Sequence, residues 1–131
     1  MSGITDLQTL LSSLSPGIVE GRFVFCTLAG DLADYVGLNP LMVFREAEGL
    51  TLVLSEDVAN QAGLSFEGIF SQITLAVHSG LDAVGLTAAV SSQLTSRGIS
   101  ANIIAAYYHD HVFVPTKQAD RALAALKELT A

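Results

Sequence analysis

The same order of elements is written twice along this chain, and that recurrence narrows the available folds more than any single motif. In the second half, Ile69 to His78 is rich in β-formers, and Leu81 to Arg97 reads as a helix with Leu86, Ala89, Val90 and Leu94 on one stripe. Arg97-Gly98 ends it, a cation near the C-terminal dipole followed by a residue free to turn left-handed. Ile99 to Tyr108 and His111 to Pro115 read as a hairpin turning at His109-Asp110. Thr116 then caps a helix to about Leu129, with Ala122, Leu123, Leu126 and Leu129 facing inward. In the first half, Gly21 to Ala29 is apolar almost throughout, as a strand buried on both faces would be. "GDLADYVGLNP" follows as a loop with room for one helical turn. Met42 to Leu54 reads as a hairpin turning at Glu48-Gly49, and Ser55 caps a short helix that Gly63 closes.

Both halves therefore spell strand, helix, strand, strand, helix, with the first helix missing from Gly17–Leu64 and present in Ile69–Leu129. That plan belongs to an α+β, ferredoxin-like unit, an antiparallel sheet with helices on one face. Such a unit closes with a fourth strand, and neither half contains an obvious one. Either the halves share a sheet, or a segment near the N-terminus fills the gap. The N-terminal segment Thr5 to Leu14 reads as a short amphipathic helix. Thr5 and Gln8 have capping-box spacing, Leu7, Leu10, Leu11 and Leu14 share a face, and Pro16-Gly17 ends it. The expected division is a module over 1–66, its first helix reduced to a loop, and a second over 67–131.

Composition sets limits on partners. Half of the 131 residues are hydrophobic and 15% are charged, enough to bury a core and too apolar for disorder. Thirteen acidic against six basic side chains leave a net charge of −7, which disfavours nucleic acid and anionic membrane. No apolar run spans a bilayer, and the start lacks the basic region of a signal peptide. Cys26 stands alone, which excludes a disulfide framework. The expectation is a cytoplasmic protein, and the high aliphatic content in so small a chain favours a homodimer.

Polar atoms gather in "HSGLDAVGLTAAV", His78 to Val90. Ser79 and Asp82 have capping-box spacing, the first turn of a helix attracts anions, and Gly85 lowers helix stability by about 1 kcal/mol relative to alanine. Two readings stay open: an ordinary cap with tight helix–strand packing, or a backbone-lined pocket for a small polar molecule. "YYHDHVFVP" places His109 and His111 two apart, and His78 on a neighbouring strand would complete three ligands for a metal-dependent enzyme. A solvated hairpin tip is the simpler reading, because a tight turn at His109-Asp110 hinders convergence. In "FREAEG", Arg45 and Glu48 fall on opposite faces of a regular strand. Arg45 would clamp a carboxylate only if it faced a seam between modules. The chain contains no nucleophile elbow, phosphate-binding loop or dinucleotide fingerprint, and Cys26 sits in an apolar run with no nearby base.

Asp82-Ala83-Val84-Gly85-Leu86, then Arg97-Gly98-Ile99, then Asn102-Ile103 resembles the ACT domain, a small regulatory module of amino-acid metabolism. Val84 stands where that family often has proline. "FREAEGLTLVL" and "ANIIAAYYHDHVFVP" together also resemble short bacterial proteins that carry two ACT-like modules in tandem and no catalytic domain. The resemblance implies that an effector amino acid binds where modules meet, with the strand-to-helix loop of one facing the second strand of the other. By position it implicates Val84, Gly85 and Leu86, and Ile99, Ser100, Ala101 and Asn102 across the seam, with His78, Ser79 and Asp82 as polar neighbours. In serine-binding members a histidine placed like His78 contacts the ligand. The expected function is non-catalytic binding of an amino acid or similar metabolite, coupled to a regulated protein partner and needing no cofactor. The alternatives are an interaction or oligomerisation module that has lost its ligand, and, further off, the metal-dependent enzyme.

Overall fold

A computed structural model describes residues 6–77 and 84–130. Its elements are α1 (Leu7–Ser13), β1 (Ser15–Ile18), β2 (Phe23–Leu28), β3 (Met42–Glu46), β4 (Gly49–Ser55), α2 (Glu56–Gln61), β5 (Phe70–Ala76), α3 (Leu86–Ser96), β6 (Asn102–Ala105), β7 (Asp110–Pro115) and α4 (Ala119–Glu128). They form two compact units. One comprises Gly21–Phe70, and the other joins Met1–Glu20 to Ser71–Ala131. The sequence division at 66/67 follows chain order, whereas in space the N-terminal segment groups with the second half.

The unit Gly21–Phe70 has the strand order β3-β4-β2, antiparallel throughout, and Phe23 pairs with Phe70 on the free side of β2. β2 is not buried on both faces. Val24 and Cys26 enter the core with Leu50, Leu52, Leu54 and Ala59, while Thr27 is exposed and Phe25 stacks edge-on against Phe70, ring centroids 5.4 Å apart. This alternation is what a sheet covered on one face requires. Glu46 pairs with Gly49, so the hairpin turns at Ala47-Glu48, one residue earlier than the Gly-based reading. Gly49 belongs to the strand: a Cβ there would lie 3.2 Å from the Leu28 carbonyl oxygen. Two single 3-10 turns, Leu32–Asp34 and Val36–Leu38, replace the missing first helix, and Asn39 at φ 51° followed by Pro40 stops them. Ser55 caps α2 as expected, its Oγ accepting from the Val58 N–H at 3.2 Å.

The other unit has the order β1-β5-β7-β6. Here the missing fourth strand is found. β1 runs antiparallel to β5 with Ser15 opposite Ala76 and Ile18 opposite Ile73, so the N-terminal segment completes a ferredoxin-like sheet for the second half. Pro16 and Gly17, read as a helix stop, lie inside this strand, where a residue lacking an N–H is tolerated at a sheet edge. Ile73 and Leu75 of β5, Val77 just beyond it, and Val112 and Val114 of β7 pack against Leu10 and Leu14 of the N-terminal segment, Leu86, Val90 and Leu94 of α3, and Ala122, Ala125 and Leu126 of α4. Within this unit α1, α3 and α4 therefore cover one face.

Local signals decide the helix ends. Asp6, not Thr5, caps α1, its carboxylate accepting from the Thr9 N–H at 3.0 Å and from the Thr9 hydroxyl at 2.8 Å. Thr5 itself lies outside the described residues. α3 starts at Leu86, after a non-helical Val84-Gly85 (Leu81, the expected start, lies outside the described residues), and ends as read: Gly98 at φ 69° bonds Thr95, and the Ile99 N–H donates back to Leu94, both at 3.0 Å. Arg121 donates to the Arg97 carbonyl at 2.8 Å, satisfying a further group at that end. Thr116 does not cap the last helix. It opens a 3-10 turn, Thr116–Gln118, and its hydroxyl accepts from Ser71 at 3.2 Å.

Leu10 is fully buried at the centre of the second unit's core. Leu10→Ala is expected to lower stability by about 2–5 kcal/mol, as core leucine truncations do. Urea denaturation checks it, and a loss below about 1 kcal/mol would show that the N-terminal segment is not integral to this unit.

Candidate functional site

The corner that carried the sequence argument is where β5 hands over to α3. His78, Ser79 and Asp82 lie outside the described residues. Val84 is 81% exposed, Gly85 takes φ 102°, and Leu86 is buried at the head of α3. No side chain at the cap position accepts a hydrogen bond from the first turn. The reason for glycine is steric as well as conformational. A Cβ at Gly85 would sit 3.1 Å from Leu7 Cδ2, so α1 packs directly over this backbone.

The second strip of expected site residues lies elsewhere. Ile99 is buried, Ser100 and Asn102 are exposed, and Ala101 packs against the core. Gly85 and Ile99 stand at opposite ends of α3, whose eleven residues span about 16 Å at 1.5 Å per residue. A single unit does not bring them to one pocket. A site using both needs a second surface laid across the seam.

The structure does assemble a polar cluster that the sequence reading missed. On the face of β5 away from the helices, Gln72 and Thr74 stand beside His111 of β7. His111 Nδ1 is 3.0 Å from Thr74 Oγ1 and 3.1 Å from Gln72 Nε2. With the Gln72 amide nitrogen turned to the ring, Nδ1 accepts, an arrangement that suits the neutral imidazole with its proton on Nε2. Gln72 is 6% exposed, and its Oε1 has no hydrogen-bond partner among the described residues. The available signal was the i, i+2 spacing of Gln72 and Thr74 within an otherwise apolar strand. Finding their partner required the strand order.

Of the three histidines of the metal reading, His78 lies outside the described residues, and His109 and His111 are each engaged elsewhere through Nδ1. Ala105 pairs with Asp110, so the hairpin turns through Ala106 to His109, and Asp110 already belongs to β7. His109 donates from Nδ1 to the Val77 carbonyl at 3.3 Å, while the same nitrogen of His111 is taken by Thr74 and Gln72. Among the described residues no three His, Cys, Asp or Glu side chains are grouped to hold a metal ion. Cys26 is buried, and burial pushes its thiol pKa up, away from nucleophilic use. Among the described residues no helix is long and apolar enough to cross a membrane.

Comparison with known proteins matches this geometry. Two family models, each described as an ACT domain, match residues 2–71 and 69–128. No curated protein matches. A solved protein of unknown function from Vibrio cholerae, described as a possible transport protein, is 55% identical, with a TM-score of 0.90 over 99% of this chain and 100% of that one. A protein from Agrobacterium tumefaciens is 19% identical, with a TM-score of 0.73 over 89% of each chain. The ligand-free regulatory subunit of aspartate kinase from Thermus thermophilus shares the fold at 11% identity, with a TM-score of 0.67 over 90% of this chain and 99% of that one.

The cluster fixes a pH response. Burial is the largest cause holding the His111 pKa below its ordinary value, with the charge of His109 adding and that of Asp110 opposing. The unfolded chain therefore binds this proton more readily than the folded one. The stabilising contribution of His111 is complete above the unfolded pKa of about 6.5 and is lost as pH falls from there through the lower folded-state value. Asp110, raised chiefly by burial, acts with the opposite sign in the lower carboxylate range. The melting temperature is expected to fall between about pH 8 and about pH 5.5, and His111→Asn, whose amide oxygen mimics Nδ1, should flatten that slope. Parallel thermal melts check it; equal slopes for the two proteins would refute the neutral-imidazole assignment.

Proposed function

The chain belongs to the ACT domain family, and from that premise we propose that it is a non-catalytic regulatory protein that binds an amino acid or similar small metabolite. The reading is carried by the two ACT matches, which between them run from residue 2 to residue 128. It is supported by a fold shared with regulatory subunits of aspartate kinase. The proposed setting is a cytoplasmic homodimer acting on a protein partner.

The ligand sits, in this proposal, where the turn at Val84, Gly85 and Leu86 of one module meets the strip Ile99 to Asn102 of another, with His78, Ser79 and Asp82 beside it. Backbone N–H groups of the first turn of α3 take the carboxylate, and Asn102, exposed on an edge strand, faces the ammonium or side chain. Binding across such a seam stabilises the joined state over the separated one. That difference in affinity is the only means by which a ligand can bias a partner. Leu7 stands at the Gly85 backbone, so the guest approaches along the exposed Val84 side.

A thermal-shift screen of the twenty amino acids tests the proposal. One of them at a hundred times its dissociation constant should add about 2.7 kcal/mol of stability. Asn102→Ala should fold normally and lose most of that gain. Absence of a shift with every amino acid at millimolar concentration would favour the interaction module without a ligand.

A further inference from the structure

The turn before β3 leaves a large apolar side chain standing in water. Leu41 is 50% exposed, while its backbone N–H is tied to the Val53 carbonyl at 2.8 Å. It borders a solvent-open recess of about 340 Å³ in the unit Gly21–Phe70. Phe23, Leu38 and Val58 supply further apolar walls, and Asn39 and Ser55 are the polar groups of the lining. We propose that this recess is a binding site for a small uncharged molecule, largely apolar, with one hydrogen-bonding group and about the size of indole.

Three segments meet there, and each is fixed by bonds of its own. In the turn, the Leu38 N–H donates to the Tyr35 carbonyl and the Asn39 N–H to the Val36 carbonyl, both at 3.0 Å. Asn39 then takes φ 51° and ψ 57°, a left-handed conformation that asparagine tolerates better than most residues, and Pro40 locks the φ that follows. Phe23 opens β2 directly opposite Ser55 of β4, and the Glu56 N–H returns to the Arg22 carbonyl at 2.9 Å. Ser55 caps α2 as an acceptor, which leaves its hydroxyl proton to donate. The lining is thus in place before a guest arrives, and little ordering opposes binding.

Size and charge select the guest. A sealed apolar cavity of about 150 Å³ already admits benzene, so this larger, open recess has room for a fused pair of rings. None of its lining side chains carries a charge, and the unit around it holds seven acids against two arginines. A carboxylate would enter with no cation to meet it and against that field, which disfavours anions and zwitterions alike. An uncharged guest instead covers Leu41 and its neighbours, and Asn39 or Ser55 satisfies its one polar group. The recess is separate from the Val84–Leu86 turn and the Ile99–Asn102 strip, which belong to the other unit, and it stands without the amino-acid reading.

The chain has no tryptophan, so the fluorescence of indole reports its own binding. Titrating the full chain into indole should shift the emission to the blue and saturate at one indole per chain. Leu41→Glu should weaken that binding at least about tenfold, because it removes an apolar wall and sets a charge at the mouth. Asn39→Gly keeps the left-handed turn and removes the amide, and a loss of a few-fold is expected. Phe44→Glu removes another exposed apolar side chain of the same unit and should leave the affinity unchanged. Indole-3-acetate, the same ring with a carboxylate, should bind at least about tenfold more weakly than indole. An emission shift that never saturates, an affinity untouched by Leu41→Glu, or equal losses in Leu41→Glu and Phe44→Glu would overturn the inference, as would indole-3-acetate binding as tightly as indole. Because Leu41 and Phe44 are exposed, both variants should melt close to the wild type.

Discussion

The pairing of β1 with β5 is the interaction on which the second half depends. A strand–helix–strand–strand–helix segment leaves one side of its first strand unpaired, and an open row of N–H and C=O groups beside a core is both costly and aggregation-prone. Ser15 to Ile18 covers that side, and the Val19 N–H extends the ladder to the Gln72 carbonyl at 2.9 Å. The strand does not come alone. Leu10 and Leu14, immediately before it, enter the same core as Leu86, Val90 and Leu94, so pairing and burial are supplied by one short segment. The two gains are coupled, because β1 has only four residues and two of them are Pro16 and Gly17, poor strand formers with little ladder energy of their own.

That dependence explains why compact units and sequence repeats do not coincide. Family matches meet near residue 70, and the compact units exchange the first twenty residues. Repetition in the sequence records strand–helix–strand–strand–helix order. Compactness records which strand closes which sheet, and a sheet edge is indifferent to where along the chain its closing strand originates. A closing strand from the N-terminus or after α4 would satisfy the same hydrogen bonds.

How much the sequence disclosed follows from the range of each signal. Local chemistry was readable: Ser55 as a cap, Arg97-Gly98 as an ending, and Leu86, Val90 and Leu94 of α3 with the stripe of α4 stand as their spacing suggested, while Ala89 is half-buried and outside that core. Failures came where a distant partner sets the answer. Both hairpin turns fall away from the residues best suited to turning, because cross-strand register, Glu46 with Gly49 and Ala105 with Asp110, outweighs the local preference of two residues. Thr116 looked like a cap, and its hydroxyl went instead to Ser71, forty-five residues away. Gln72 and Thr74 carried no motif at all until β7 was placed beside β5.

Gly85 shows how one residue can satisfy two opposed readings. Its cost to the helix suggested something close against the backbone, either protein or ligand, and Leu7 of α1 is that neighbour. The glycine is thus already explained by packing, and it no longer argues independently for a ligand at the same spot.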